Sequence, residues 1–211
     1  IHPSILDSGT DTRRPTGSSP NVLQIPSKGV GARMRGMYMP PNPDYVCVAI
    51  DYNGQELRLT ADESQDPVMM RAYQAGSEQD LHSVMGSGIA RDYPELKTIW
   101  EYDEFNKARK DENHEFHAQA NDIRESKAKG VNFGLAYGAA APTLARNLII
   151  ALKEAEKLEA SAFATYARLK SWQEEAANFM NLNGFTQTAF GTRRHATDDL
   201  FSSDRGLVAS M

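Results

Sequence analysis

The sequence of 211 residues holds one cysteine, Cys47. A lone thiol excludes an internal disulfide framework and fits a reducing compartment. Because Cys47 sits in the apolar run VCVAI, an inert buried thiol is expected. Long apolar runs are also lacking: nothing approaches the roughly 20 residues that a membrane helix needs. Ile1–Leu6 is short and polar residues follow at once, so no leader is expected. CxxC, HExxH, GxxxxGK and GxSxG are all missing, which removes the common zinc, Gly-rich phosphate-loop and nucleophile-elbow signatures. Internal repeats and low-complexity tracts are missing too.

What is present suffices for one core or two lobes, with 40% hydrophobic residues and a formal charge of -5. That charge argues against a tail-like, nonspecific nucleic-acid binder. The balance is uneven, because the first forty residues carry Arg13, Arg14, Lys28, Arg33 and Arg35 against Asp7 and Asp11. A local basic surface is therefore compatible with an acidic chain. The start at Ile1 and the stop at Met211 after GLVAS read as cut ends.

Residues 1–44 are rich in turn formers, with PTGSSPN and PPNPD as the strongest signals, and are expected to be mostly looped. YVCVAID, Tyr45–Asp51, is apolar and β-branched and reads as a buried strand. A turn at Tyr52–Gly54 should deliver a helix beginning near Gln55. Helical patterns follow over Asp66–Ile89, divided at Gly76, with Pro67 in a first turn. Residues 91–121 are strongly charged and read as a mobile or solvated helical region. A helix is expected over Asp122–Ala136, ending at Gly138, with another short one starting at Pro142. Leu152–Met180 reads as one long amphipathic helix. Phe185–Phe190 and Thr192–His195 flank Gly191 and suggest a hairpin.

Within RESKAKGVNFGLAYG, Lys129, Phe133 and Tyr137 recur at four-residue steps and share one helix face. An ammonium, a ring and a phenol in a row can hold a nucleotide, although aromatics at this spacing also serve as core packing. Asp51, at the end of an apolar strand, would need a cation or donors if buried. Mg²⁺ with a substrate phosphate is one solution, and a helix N-cap or an ion pair with Arg58 is another. His82 could donate to a phosphate, or simply cap or pack in its helix. His114, His117, Asp111 and Glu112 have metal-like spacing in ARKDENHEFH, whose polarity favours a solvated surface.

These residues converge on a family. DYNGQELR, Asp51–Arg58, resembles motif A of family A DNA polymerases (D-Y-S-x-x-E-L-R), and Arg124–Gly138 resembles motif B (A-K-x-x-N-F-G-x-x-Y-G). Thr12-Arg13-Arg14 followed by Pro20–Pro26 is similar to the T-G-R…PNLxQIP segment, and Gln24 there is closer to short phage replicative enzymes. Thr188–Arg194 is similar to the T-x-x-G-R-R-R hairpin. The four matches run in order along nearly the whole chain.

The resemblance implies an α+β fold, a partial polymerase palm with an antiparallel sheet and a mainly helical fingers subdomain. Residues 1–62 would be palm with motif A, 63–182 fingers with motif B, and 183–211 a hairpin returning toward the palm before motif C. The strands over Tyr45–Ile50 and Phe185–Phe190 would join the palm sheet. The implied activity is template-directed transfer of a nucleotide from dNTP to a primer 3′-hydroxyl with two Mg²⁺ ions. The resemblance makes Asp51 the first catalytic aspartate and a metal ligand, with the Tyr52 carbonyl assisting. It makes Glu56 a steric gate at the 2′ position that can bond Tyr137, and His82 a triphosphate contact. Lys129 would neutralise phosphate charge, and Phe133 would pack on sugar and base, a form associated with poor use of dideoxynucleotides. Arg14, Asn21, Gln24, Arg193 and Arg194 would contact primer–template DNA. The setting implied is the cytoplasm of a bacterial or phage-infected cell, with no membrane partner.

Two departures stand out. The family's arginine lies four residues before the lysine, but Glu125 occupies that place and Arg124 lies one earlier. A one-residue shift turns a side chain by about 100° on an α-helix. Arg124 by its length, or Lys127, could substitute, while Glu125 would repel a triphosphate unless turned away. Second, no H-D-E follows the arginine-rich turn. Asp198, Asp199 and Asp204 lie in a polar stretch without that context. The second catalytic aspartate is therefore expected from a partner chain or a continuation, and the chain alone is expected to be incomplete. The alternative reading is a noncatalytic DNA- or dNTP-binding subunit of a split polymerase.

Overall fold

The computed structural model describes residues 2–10, 14–26, 29–40, 42–74, 76–77 and 79–195. Thr12, Arg13, Lys28, Asp198, Asp199 and Asp204, singled out above, lie outside the described residues. The fold is α+β and mainly helical, with two separate two-stranded antiparallel sheets. The chain divides into two compact units, residues 1–53 and 54–211.

In the first unit, β1 (Ser4–Leu6) pairs with β2 (Thr16–Ser18), Ser4 opposite Ser18 and Leu6 opposite Thr16. A 3₁₀ turn over Val22–Gln24 is capped by the Asn21 side chain, which accepts the Leu23 N–H at 3.1 Å. A second 3₁₀ segment, Val30–Met37, is tied back by Arg35, which donates to the Ile25 and Pro26 carbonyls. None of the unit's described residues is buried. The strand expected over Tyr45–Ile50 accordingly does not form. Val46 is 83% and Ile50 90% exposed, and Cys47 is exposed rather than buried. Extended backbone needs a neighbouring strand for its N–H and C=O groups, and no described strand pairs with this one.

The second unit contains the core. Gly54, at φ 63°, makes the left-handed turn that starts α1 (Gln55–Ser64) at the expected residue. Asp66 then caps α2 (Pro67–Tyr73) by accepting the Val68 and Met69 N–H groups. After it comes α3 (Leu81–Ala90), in which Leu81, Val84, Met85 and Ile89 are all buried. A helix apolar on nearly every side belongs at the centre. It is followed by α4 (Tyr102–Lys110), α5 (His117–Asp122), a π-helical turn (Ile123–Ala128), α6 (Lys129–Ala136), α7 (Ala141–Leu148), α8 (Leu152–Thr165) and α9 (Ala167–Asn183). Of these, α4, α6, α8 and the π turn pack against α3. Then β3 (Phe185–Gln187) pairs with β4 (Arg193–His195) in the expected hairpin, shorter than the alternation suggested.

Four expectations change here. Residues 91–121 are not simply a solvated stretch, since Ile99, Phe105, Ala108 and Ala120 are fully buried and their charged neighbours form the outer faces. The single helix over Leu152–Met180 is two, broken at Tyr166 (φ −112°, ψ 75°). The break serves long-range contacts: the Tyr166 ring enters the core, and the Arg168 N–H that follows donates to Asp66 Oδ2 at 2.9 Å. The helix over Asp122–Ala136 is interrupted by the π turn, and the sheet expected to join Tyr45–Ile50 with Phe185–Phe190 is absent among the described residues.

Candidate functional site

The face that carries Lys129, Phe133 and Tyr137 is open. Phe133 is 38% and Tyr137 42% exposed, so core packing is not what this stripe does. Packing is assigned to the other sides of α6. Val131 and Leu135 face the core, and a Cβ at Gly130 or Gly134 would meet Leu148 at 2.3 Å or Leu144 at 2.5 Å, so these glycines let α7 lie close. Gly138, at φ 70°, ends the run just after Tyr137.

Side chains from α1 and α3 border this stripe. The Tyr137 hydroxyl donates to the Glu56 carboxylate from the first turn of α1. From α3, the His82 ring lies 5.4 Å from the Phe133 ring, tilted by 51°. His82 is held by Asn132, a residue without an assigned role in the sequence reading. The Asn132 amide is buried and donates to the Leu81 carbonyl at 3.2 Å, with His82 Nδ1 at 3.1 Å from the same nitrogen. A carbonyl accepts only a donor, so the NH₂ end faces Leu81 and Nδ1 acts as acceptor. The ring's N–H is then on Nε2. Burial holds the His82 pKa below its usual value, keeping the imidazole neutral near pH 7. The Tyr166 hydroxyl, fully buried, stands 3.2 Å from both Asn132 Oδ1 and the Leu81 carbonyl.

Arg124 reaches the same border despite its offset in sequence. In the π turn, the Lys129 N–H donates to the Arg124 carbonyl. Closing at five residues rather than four places Arg124 one turn below Lys129, where an α-helix would put only Glu125. Arg124 Nε donates to Asp80 Oδ2 at 2.6 Å, and Glu125 bonds both Arg124 and Lys129, the latter at 2.5 Å. Lys127 points elsewhere, to Glu154 at 2.7 Å and the Tyr93 hydroxyl at 2.8 Å.

Asp80, also missed in the sequence reading, caps α3 and accepts from the His82 N–H, the Ser83 hydroxyl and Arg124. An aspartate just before an apolar helix is a readable cap, and an asparagine inside a helix, as at position 132, signals a special contact. Burial alone would raise the Asp80 pKa, but the Arg124 and Ser83 hydrogen bonds outweigh it and hold the carboxyl at about 2. A depressed carboxylate stabilises the fold above its unfolded pKa, and that contribution is lost as pH falls from 3.8 through about 2. It amounts to about 2 kcal/mol. Urea unfolding of D80N is therefore expected to show a shallower loss of stability between pH 4 and pH 2; an acid limb identical to that of the parent would refute the assignment.

Asp51 and Tyr52 are exposed in the first unit. Asp51 is not the cap of α1, since Gly54 holds that position, and Arg58 lies over the Tyr73 ring at 4.5 Å. No group of three or more His, Cys, Asp or Glu side chains able to hold a metal occurs among the described residues. Arg14 and Gln24 are exposed, Asn21 serves as a cap, Arg193 stacks on Phe185 at 4.5 Å, and Arg194 lies half-buried on β4. His114 and His117 are half-buried and engaged with backbone groups. No helix among the described residues is long and apolar enough to cross a membrane.

Comparison with known proteins gives consistent matches. The model of the family described as DNA polymerase family A matches residues 1–99 and 101–208. DNA polymerase I of Caldicellulosiruptor bescii is 29% identical over 98% of the chain and 21% of its own length. The thermostable DNA polymerase I of Thermus aquaticus is 27% identical over 94% of the chain and 21% of its own length. Among solved structures, the POL domain of Pol1 from M. smegmatis, in complex with DNA primer-template and dNTP, matches with a TM-score of 0.72. It is 25% identical, covering 100% of this chain and 33% of that one. The chain thus spans about a fifth of the length of these curated relatives.

Proposed function

This chain belongs to DNA polymerase family A, and from that premise we propose that it supplies the nucleotide-binding side of a site for template-directed DNA synthesis. The observation that carries this reading is the open α6 face. Phe133 and Tyr137 are exposed in line with the half-buried Lys129, bordered by His82, Arg124 and Glu56. The reaction joins the primer 3′-oxygen to the α-phosphorus of a dNTP while the bond to the β-phosphate breaks and pyrophosphate leaves.

In that reaction Lys129 and Arg124 neutralise phosphate charge, and the neutral His82 donates its Nε2–H to a phosphate oxygen. Phe133 presents its ring to the sugar and base. Glu56, restrained by the Tyr137 hydroxyl, crowds the 2′ position and disfavours ribonucleotides. Asp51 and the Tyr52 carbonyl would hold Mg²⁺, which supplies positive charge to the reacting phosphate and acidifies the primer hydroxyl. The second carboxylate of that site comes from a partner chain or a continuation, so these residues alone do not extend primers. Arg14, Asn21, Gln24, Arg193 and Arg194 contact primer–template DNA, Asn21 through whatever its capping role leaves available.

Steady-state kinetics of the complete polymerase test the phosphate contact. R124A is expected to raise the dNTP KM about tenfold or more, because a charged hydrogen bond to phosphate is lost. K127A, whose ammonium is engaged by Glu154 and Tyr93, should stay within about twofold. Equal small effects would remove Arg124 from the site.

A further inference from the structure

Glu125 is the residue that breaks the pattern expected of this helix, and it is not turned away from the cations. Its two carboxylate oxygens are divided between them, Oε1 to Arg124 and Oε2 to Lys129. The π turn makes this possible, since it brings Arg124 and Glu125, adjacent in sequence, beneath Lys129 together. Glu125 remains about half exposed, as does the pair it forms with Lys129. The carboxylate therefore sits at the open mouth of the face and not in its foundation. Arg124 keeps a second, more buried anchor in Asp80.

We infer that the Glu125 carboxylate occupies the phosphate subsite from within the chain, bridging Arg124 and Lys129 until a polyphosphate displaces it. This rests on the reading of the α6 face as a nucleotide site. An arginine, an ammonium and one bridging anion reproduce the arrangement that a phosphate oxygen pair would adopt between the same two cations. The Lys129 hydrogen bond, first among the causes, holds Glu125 below the ordinary carboxylate range, so the placeholder stays ionised at neutral pH. A ligand with several negative charges can displace one carboxylate, whereas weakly charged ligands gain too little from the same two cations. Glu125 thereby raises the threshold for occupancy. Because Asp80 still holds Arg124 after Glu125 leaves, the cations stay in place for the incoming phosphate.

Titration calorimetry of the full chain with inorganic triphosphate, at low ionic strength, tests this against its alternatives. E125Q keeps the shape but not the charge, and should bind about three- to tenfold more tightly than the parent, the range expected for releasing a partly exposed ion pair. E125D keeps the charge but is one methylene too short to span both cations, and should fall between the parent and E125Q. K129A should bind at least about fivefold more weakly. Equal binding by E125D and the parent, with tightening only in E125Q, would mean simple repulsion and would overturn the bridge. Unchanged or weaker binding by E125Q, with K129A still impaired, would overturn the placeholder while leaving the nucleotide face standing. Loss of any K129A effect would remove the nucleotide face and the placeholder with it.

Discussion

Replacing Asp51 by asparagine is expected to slow primer extension by the complete polymerase on the order of 10³-fold, the scale on which removing a group that stabilises transition-state charge is felt. The substitution preserves size and removes only the negative charge that would hold Mg²⁺. Its structural cost should be small, because Asp51 is exposed and does not cap α1. The unfolding midpoint of D51N is therefore expected to match the parent, which separates a chemical loss from a folding loss. Single-turnover extension at saturating dNTP is the decisive readout. If D51N extends as fast as the parent, Asp51 is not a catalytic residue.

The second large effect is expected at Lys129. K129A should lower kcat/KM for dNTP by about 10²-fold or more, since it deletes a charge-assisted contact made where negative charge accumulates on the phosphates. In the protein without nucleotide, its ion pair with Glu125 spans one helical turn and is partly exposed, so its deletion should change stability by no more than about 0.5 kcal/mol. K129R should recover part of the loss, because the charge returns with a different shape. A kcat/KM within twofold of the parent would place the ammonium outside the reaction.

Much of the site was legible because its signals are local. Gly54 before Gln55, Pro67 after Asp66 and Gly191 between two short strands fix elements through backbone preferences that a few neighbouring residues determine. The four-residue steps from Lys129 to Tyr137 gave the stripe, but only exposure distinguished an open face from a packed one. What escaped depends on partners far along the chain. Tyr166 breaks the helix in order to reach Leu81 and Asn132, which are 85 and 34 residues away. Asn132 orients His82 across 50 residues.

Tyr45–Ile50 misled for the opposite reason. Its residues favour a strand, but pairing requires a neighbour that local composition cannot supply, and none of the described strands provides it. The π turn is similarly hidden. The sequence shows an arginine one place too early, and only the backbone closure at Lys129 returns it to the side of the helix beneath Lys129.

The central claim is that dNTP lies along the α6 face, and photo-cross-linking with an azido-dATP followed by peptide mass spectrometry tests it most directly. Adducts are expected on peptides spanning residues 129–137 and on the peptide containing His82, and unlabelled dATP should suppress them. Adducts confined to other helices, or labelling that unlabelled dATP leaves undiminished, would contradict the account.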